Sequence, residues 1–91
     1  MSVIRIVRPH RLDHAHIRAE VEALATELEH KLHARYHWEG DTMRFSRAGA
    51  SGHIKVDVDS IAIEVKLGLV LAPLRAKVER TVTDYLDRHL A

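Results

Sequence analysis

The chain has no cysteine, which excludes disulfides, thiolate chemistry and cysteine-based zinc sites. That is compatible with a reducing cytoplasm. No apolar run approaches the roughly 20 residues needed to span a bilayer. The longest, LGLVLAPL at 67–74, is far too short. No charge sign dominates, because 14 Lys and Arg nearly cancel 13 Asp and Glu. That balance argues against broad electrostatic capture of nucleic acid, which needs a basic footprint. Repeats, low-complexity tracts and linkers are missing too. The opening MSVIRIVRPHR has neither an apolar h-region nor a small-residue cleavage pattern, so no signal peptide is expected. We therefore expect a single domain over 1–91, burying roughly 60–65% of its unfolded surface, for which a partner subunit is plausible.

Aromatics are scarce, at one Trp, two Tyr and one Phe, and three of the four lie within YHWEGDTMRF at 36–45. Gly40-Asp41 suits a two-residue hairpin turn, because glycine tolerates the positive φ such turns require. Pairing outward from it sets Glu39 against Thr42, Trp38 against Met43, His37 against Arg44 and Tyr36 against Phe45. All four large apolar residues then share one face, and a one-residue slip would destroy the segregation. A turn near Ala48-Gly49 sets Met43 against Ile54 and Phe45 against Gly52. A turn near Val58-Asp59 sets Val56 against Ile61 and Ile54 against Ile63. Val65 and Leu67 extend the same face, while Ser60, Ala62, Glu64 and Lys66 form the outer one. Three hairpins agree on which side is apolar.

Two helices flank this meander. Ile17, Val21, Leu24, Leu28 and Leu32, widened by Ala25, form one stripe, and Asp13 is a good N-cap; a helix is predicted over 14–34. Pro73 suits the first turn of a second helix, with Leu74, Val78, Val82, Tyr85 and Leu86 as its stripe. SVIRIVR at 2–8 reads as a strand, ended by Pro9, and is expected beside the last strand of the meander. The fold class is α+β, in the order β-α-β-β-β-β-α, with both helices on one face of an antiparallel sheet.

No nucleophile, acid–base pair or cofactor loop stands out, so an enzymatic role ranks last and no cofactor is expected. His10, His14 and His16 cluster before and at the start of the first helix, and His30, His33 and His37 around its end. Either group would suit zinc only if the rings converged. Exposed helix-face histidines are the commoner explanation, and no metal site is assigned. The cluster of Tyr36, Trp38, Met43 and Phe45 is more often core than pocket. KLGLVLAPLRAKVER is either a buried connection, the commoner arrangement, or an exposed greasy tip flanked by Lys66, Arg75 and Lys77. RAGASG at 47–52 lacks the spacing of a phosphate loop and reads as a hairpin loop.

IRIVRPHRL followed by a helix, then RYHWEGDTMRFSRAGASGHIKVD, then IEVKLGLVLAPLRAKVE, resembles the polyhydroxyalkanoic acid system protein family over nearly the whole chain. Tyr36, Trp38 and Gly40, the Ser51-Gly52 pair, Leu67-Gly68 and Pro73-Leu74 carry the resemblance. It implies a bacterial cytoplasmic protein tied to storage-polyester granules, in their formation or regulation, and it carries over no catalytic residue. On that basis the chain is expected to be a non-enzymatic accessory protein. Its partner would be the granule, a granule protein or an apolar acyl-type molecule, with no nucleic acid. Trp38, Leu69, Val70 and Leu71 are the expected contacts. The alternatives are a small lipid or acyl carrier with a sheet–helix pocket and a homodimeric module joined through its sheet.

Overall fold

The register read outward from Gly40-Asp41 is the register observed. The computed structural model describes residues 2–90. Its elements are β1 (Ser2–Pro9), α1 (His14–Leu32), β2 (Arg35–Glu39), β3 (Thr42–Arg47), β4 (Ala50–Val56), β5 (Ser60–Leu67), a 3₁₀ turn (Ala72–Leu74) and α2 (Arg75–His89). They build one five-stranded sheet in the order β1-β5-β4-β3-β2, with every neighbouring pair antiparallel. β1 lies beside β5, as the sequence suggested. Gly40 and Gly49 supply the positive φ of the first two hairpins, at 62° and 85°.

The pairing places Trp38, Met43, Ile54, Ile63 and Ile6 in one row across all five strands. Their side chains share the face on which both helices lie. Met43, Ile54, Ile61, Ile63, Val65 and Leu67 are buried there, beneath the α1 stripe of Ile17, Val21, Leu24, Ala25 and Leu28 and the α2 stripe of Val78, Val82, Tyr85 and Leu86. Tyr36 and Trp38, on edge strand β2, are only half-buried. Gly52 is needed because the Phe45 ring lies against it. A Cβ at position 52 would approach the ring to 2.7 Å and collide with the Glu64 carbonyl. The two helices are tied together where the Tyr85 hydroxyl donates to Glu20 at 3.3 Å, while within α2 the Tyr85 ring stacks on His89. Burial first, and the Glu20 charge second, push the Tyr85 hydroxyl up to about 12.

α1 stops two residues short of the predicted end. His33 takes the left-handed conformation (φ 57°) and its N–H closes on the Glu29 carbonyl at 2.9 Å. Such a cap is usually glycine, so a histidine there carries no stop signal. Pro73 sits in the 3₁₀ turn, and α2 proper begins at Arg75.

Candidate functional site

Of the two readings for the stretch after β5, the exposed one holds. Gly68 crosses the β3–β4 hairpin closely, its N–H donating to the Gly49 carbonyl at 2.8 Å. A Cβ on Gly68 would sit 3.2 Å from that oxygen, so the crossing leaves little room for a side chain. The chain then turns tightly. Leu71 N–H donates to the Gly68 carbonyl at 3.1 Å, and Leu74 N–H to the Leu71 carbonyl at 2.9 Å. Leu69 and Val70 ride on this turn, 82% and 88% exposed. Their exposure is built by hydrogen-bonded backbone rather than by a fraying end.

Leu71 behaves differently from its neighbours. It folds back, half-buried, against the core and beside Gly49. The alternation of Leu67, Leu69 and Leu71 suggests three equivalent residues, but the turn at Gly68 breaks the strand period and separates them. Leu71 anchors the tip from below.

Cations flank the tip along the chain. Lys66 precedes it, and Arg75 and Lys77 open α2. Lys66 reaches Glu64 only at 3.8 Å and Arg75 reaches Glu79 only at 3.9 Å. Lys77 forms no ion pair among the described residues. α2 has no side-chain cap and no acid in its first turn. The 3₁₀ turn satisfies the Leu74 and Arg75 N–H groups, but two cations in the first turn still oppose the helix dipole, a local cost of roughly 0.3–1 kcal/mol each. Local rules are most often broken where function demands it.

Trp38 does not join this patch. It lies four residues along the strands and three strands across from Leu67, roughly 13 Å and 14 Å on standard sheet spacings. The Arg18 guanidinium covers its ring at 3.9 Å and also donates to the Gly40 carbonyl at 2.7 Å and to Asp41 at 3.1 Å. His14 reaches the same carboxylate at 2.7 Å. That bond first, and Arg18 second, hold the Asp41 carboxyl below its ordinary value. Trp38 is thus roofed by the contact that fastens α1 to the first hairpin.

The histidines disperse. His10 is buried, with Nε2 at 2.9 Å from the Asp57 carbonyl and Nδ1 accepting from Leu12 N–H at 3.1 Å. A carbonyl can only accept and an amide can only donate, so the ring is held as the neutral Nε2–H tautomer. It staples the β4–β5 turn to the start of α1. His16 bonds Asp13, and His37 bonds Glu39 on the other side of the sheet. No group of three His, Asp or Glu among the described residues is placed to hold a metal ion.

The sequence reading did not single out the exposure of Val58 or a groove on the outer face of the sheet. Val58, in the β4–β5 turn, is 94% exposed at the opposite end of the strands from Leu69. The sheet face away from the helices is bare and carries a shallow groove of about 360 Å³, lined by His37, Arg44, Ser46, Ser51, His53 and Lys66 among others. The outer residues of each strand could have revealed it.

Residues 4–90 match a family model described as "Putative polyhydroxyalkanoic acid system protein". The chain belongs to that family. No curated protein and no solved structure matches it. No helix among the described residues is long and apolar enough to cross a membrane.

Proposed function

We propose that the chain is a non-enzymatic accessory protein of polyhydroxyalkanoate metabolism that works in the cytoplasm at the granule surface. The observation that carries this is the exposed Leu69–Val70 pair, flanked in the chain by Lys66, Arg75 and Lys77, in a member of this family. Burying both side chains in an apolar phase is worth about 3–5 kcal/mol. Flanking cations suit an amphiphilic boundary better than a protein core. The non-enzymatic part rests on the sequence, where no nucleophile, acid–base pair or cofactor loop stands out.

The two alternatives gain less support. A carrier needs an interior cavity, yet the gap lined by Ile17, Val21, Leu24, Ile61, Tyr85 and Leu86 admits no water-sized sphere. A dimer joined through the bare faces would oppose two positively charged surfaces, a cost in specificity and affinity.

Co-sedimentation with isolated granules tests the proposal. The double variant Leu69→Glu, Val70→Glu should bind about 100-fold more weakly, matching about 3 kcal/mol of lost burial. Its circular dichroism should equal the parent's, because neither residue is in the core. Unchanged sedimentation in that folded variant sinks the tip as the contact.

A further inference from the structure

We propose that the bare face of the sheet binds an extended acidic segment of a partner protein, independently of the Leu69–Val70 tip. The pairing register sends Arg5, Arg35, Arg44, Lys55 and Lys66 to this face, against only Glu39 and Glu64. Five cations against two acids leave three positive charges in excess, on a chain whose formal net charge is +1. The remaining surface therefore carries a net −2, so charge is sorted by side. Arg8 and Arg47 leave the face by pointing the other way, to Asp87 and to the Leu32 carbonyl.

The placement is ordered as well as basic. Arg35, Arg44 and Lys55 sit on β2, β3 and β4, each displaced two residues from the last. Two residues along a strand is about 6.7 Å and one strand across about 4.8 Å, so the cations are spaced at about 8 Å on a diagonal. Alternate side chains of an extended peptide recur at a similar interval, about 6.7 Å. The diagonal crosses the groove lined by His37, Arg44, Ser46, Ser51 and His53, which adds hydroxyl and ring N–H donors between the charges.

The two acids on the face do not oppose such a ligand strongly. Glu39 is already bonded to His37 at 2.8 Å and Arg44 at 3.2 Å, and these bonds, His37 first, hold its carboxyl below the ordinary value. Glu64 meets Arg5 at 3.2 Å. Exposed pairs of this kind are weak, so the cations can share an incoming carboxylate. Arg35 and Lys55 make no ion pair among the described residues.

Nucleic acid fits less well. Single strands bind sheet faces by stacking bases on exposed aromatic rings. Here Tyr36, Trp38 and Phe45 all belong to the helix side, and Phe45, which borders the groove beside Gly52, is only 8% exposed and offers no open ring for stacking.

Fluorescence anisotropy of the full chain with a labelled oligoglutamate peptide tests this. Binding should fall about tenfold in the double variant Arg44→Gln, Lys55→Gln, and should weaken as salt rises beyond about 0.1 M, where the screening length is about 10 Å. Removing the same charge on α2, with Arg80→Gln, Arg88→Gln, should change it less than twofold. The tip variant Leu69→Glu, Val70→Glu should still bind the peptide, which separates this surface from the granule contact. Equal losses in the two arginine-containing variants would reduce the effect to net charge and overturn the proposal. So would tighter binding of labelled oligothymidylate than of the peptide.

Discussion

Two turns expose aliphatic side chains at opposite ends of the sheet, and their surroundings are opposite in kind. Val58 stands between Asp57 and Asp59, beside the start of α1. Leu69 and Val70 stand among Lys66, Arg75 and Lys77, at the start of α2. α1 begins with a standard cap, the Asp13 carboxylate accepting from His16 N–H at 2.8 Å. α2 begins with none. The Val58 end is also cross-linked, through His10 to Asp57 and Leu12, and through Arg18 and His14 to Asp41. Exposure alone therefore does not mark a contact surface. One end spends its polar groups on itself, and the other leaves its cations loosely paired around a raised apolar turn.

The sharpest way to break this comparison is to reverse the charge at the tip while keeping its aliphatics. Arg75→Glu together with Lys77→Glu should weaken granule association at least about 30-fold, the loss of the two cations alone. Each cation near an anionic boundary contributes about 1 kcal/mol. The fold should hold or gain slightly, since acids suit the first turn of a helix. If the boundary carries no negative charge, the variant will sediment like the parent, and the flanking cations must then be explained otherwise.

A smaller effect should come from copying the tip's charge to the other end. The Asp57 and Asp59 carbonyls accept from His10, but both residues are exposed and no hydrogen bond joins either carboxylate to another described residue. Asp57→Lys, Asp59→Lys thus keeps the turn and surrounds Val58 with cations. One aliphatic side chain and two charges should give a gain of a few-fold in granule association when the real tip is disabled by Leu69→Glu, Val70→Glu. No gain would mean that the backbone shape of the Gly68–Leu71 turn matters beyond its chemistry.

The two regions also differed in how well the sequence announced them. The meander was readable because the side-chain period is two. Any slip of β2, β3, β4 or β5 would have turned Trp38, Met43, Ile54 and Ile63 to solvent. The neighbour of β1 was not readable in this way, because Ile4 and Ile6 need the buried face but either edge of the sheet would supply it. The end of α1 was not readable, because His33 does the work usually given to glycine. At the tip, the pattern of residues 67–71 offered an exposed turn as one of two readings but treated Leu71 like Leu69 and Val70, and its half-burial depends on a close crossing at Gly49. Trp38 was placed on the right face, yet nothing local could show that Arg18, twenty residues earlier in the chain, would cover it. Long-range polar contacts leave no periodic trace.

The smallest predicted effect concerns the polar network of the Val58 end. The carboxyls of Asp13, Glu39 and Asp41 are all held below their ordinary values by hydrogen bonds, chiefly from His16, His37 and His14. A lowered carboxyl stabilises the fold above its unfolded pKa of about 4 and loses that contribution as pH falls through the lower folded value. These groups are exposed, so solvent screens the effect and global stability should barely move. The local effect is readable, because Trp38 is the sole tryptophan and lies under Arg18, which Asp41 helps to hold. Acidification below about pH 4 should shift Trp38 emission before the chain unfolds. Asp41→Asn should show much of that shift already at neutral pH. Identical emission from parent and variant at both pH values would mean that the Gly40 carbonyl alone positions Arg18, and that the charged network at this end is ornamental to it.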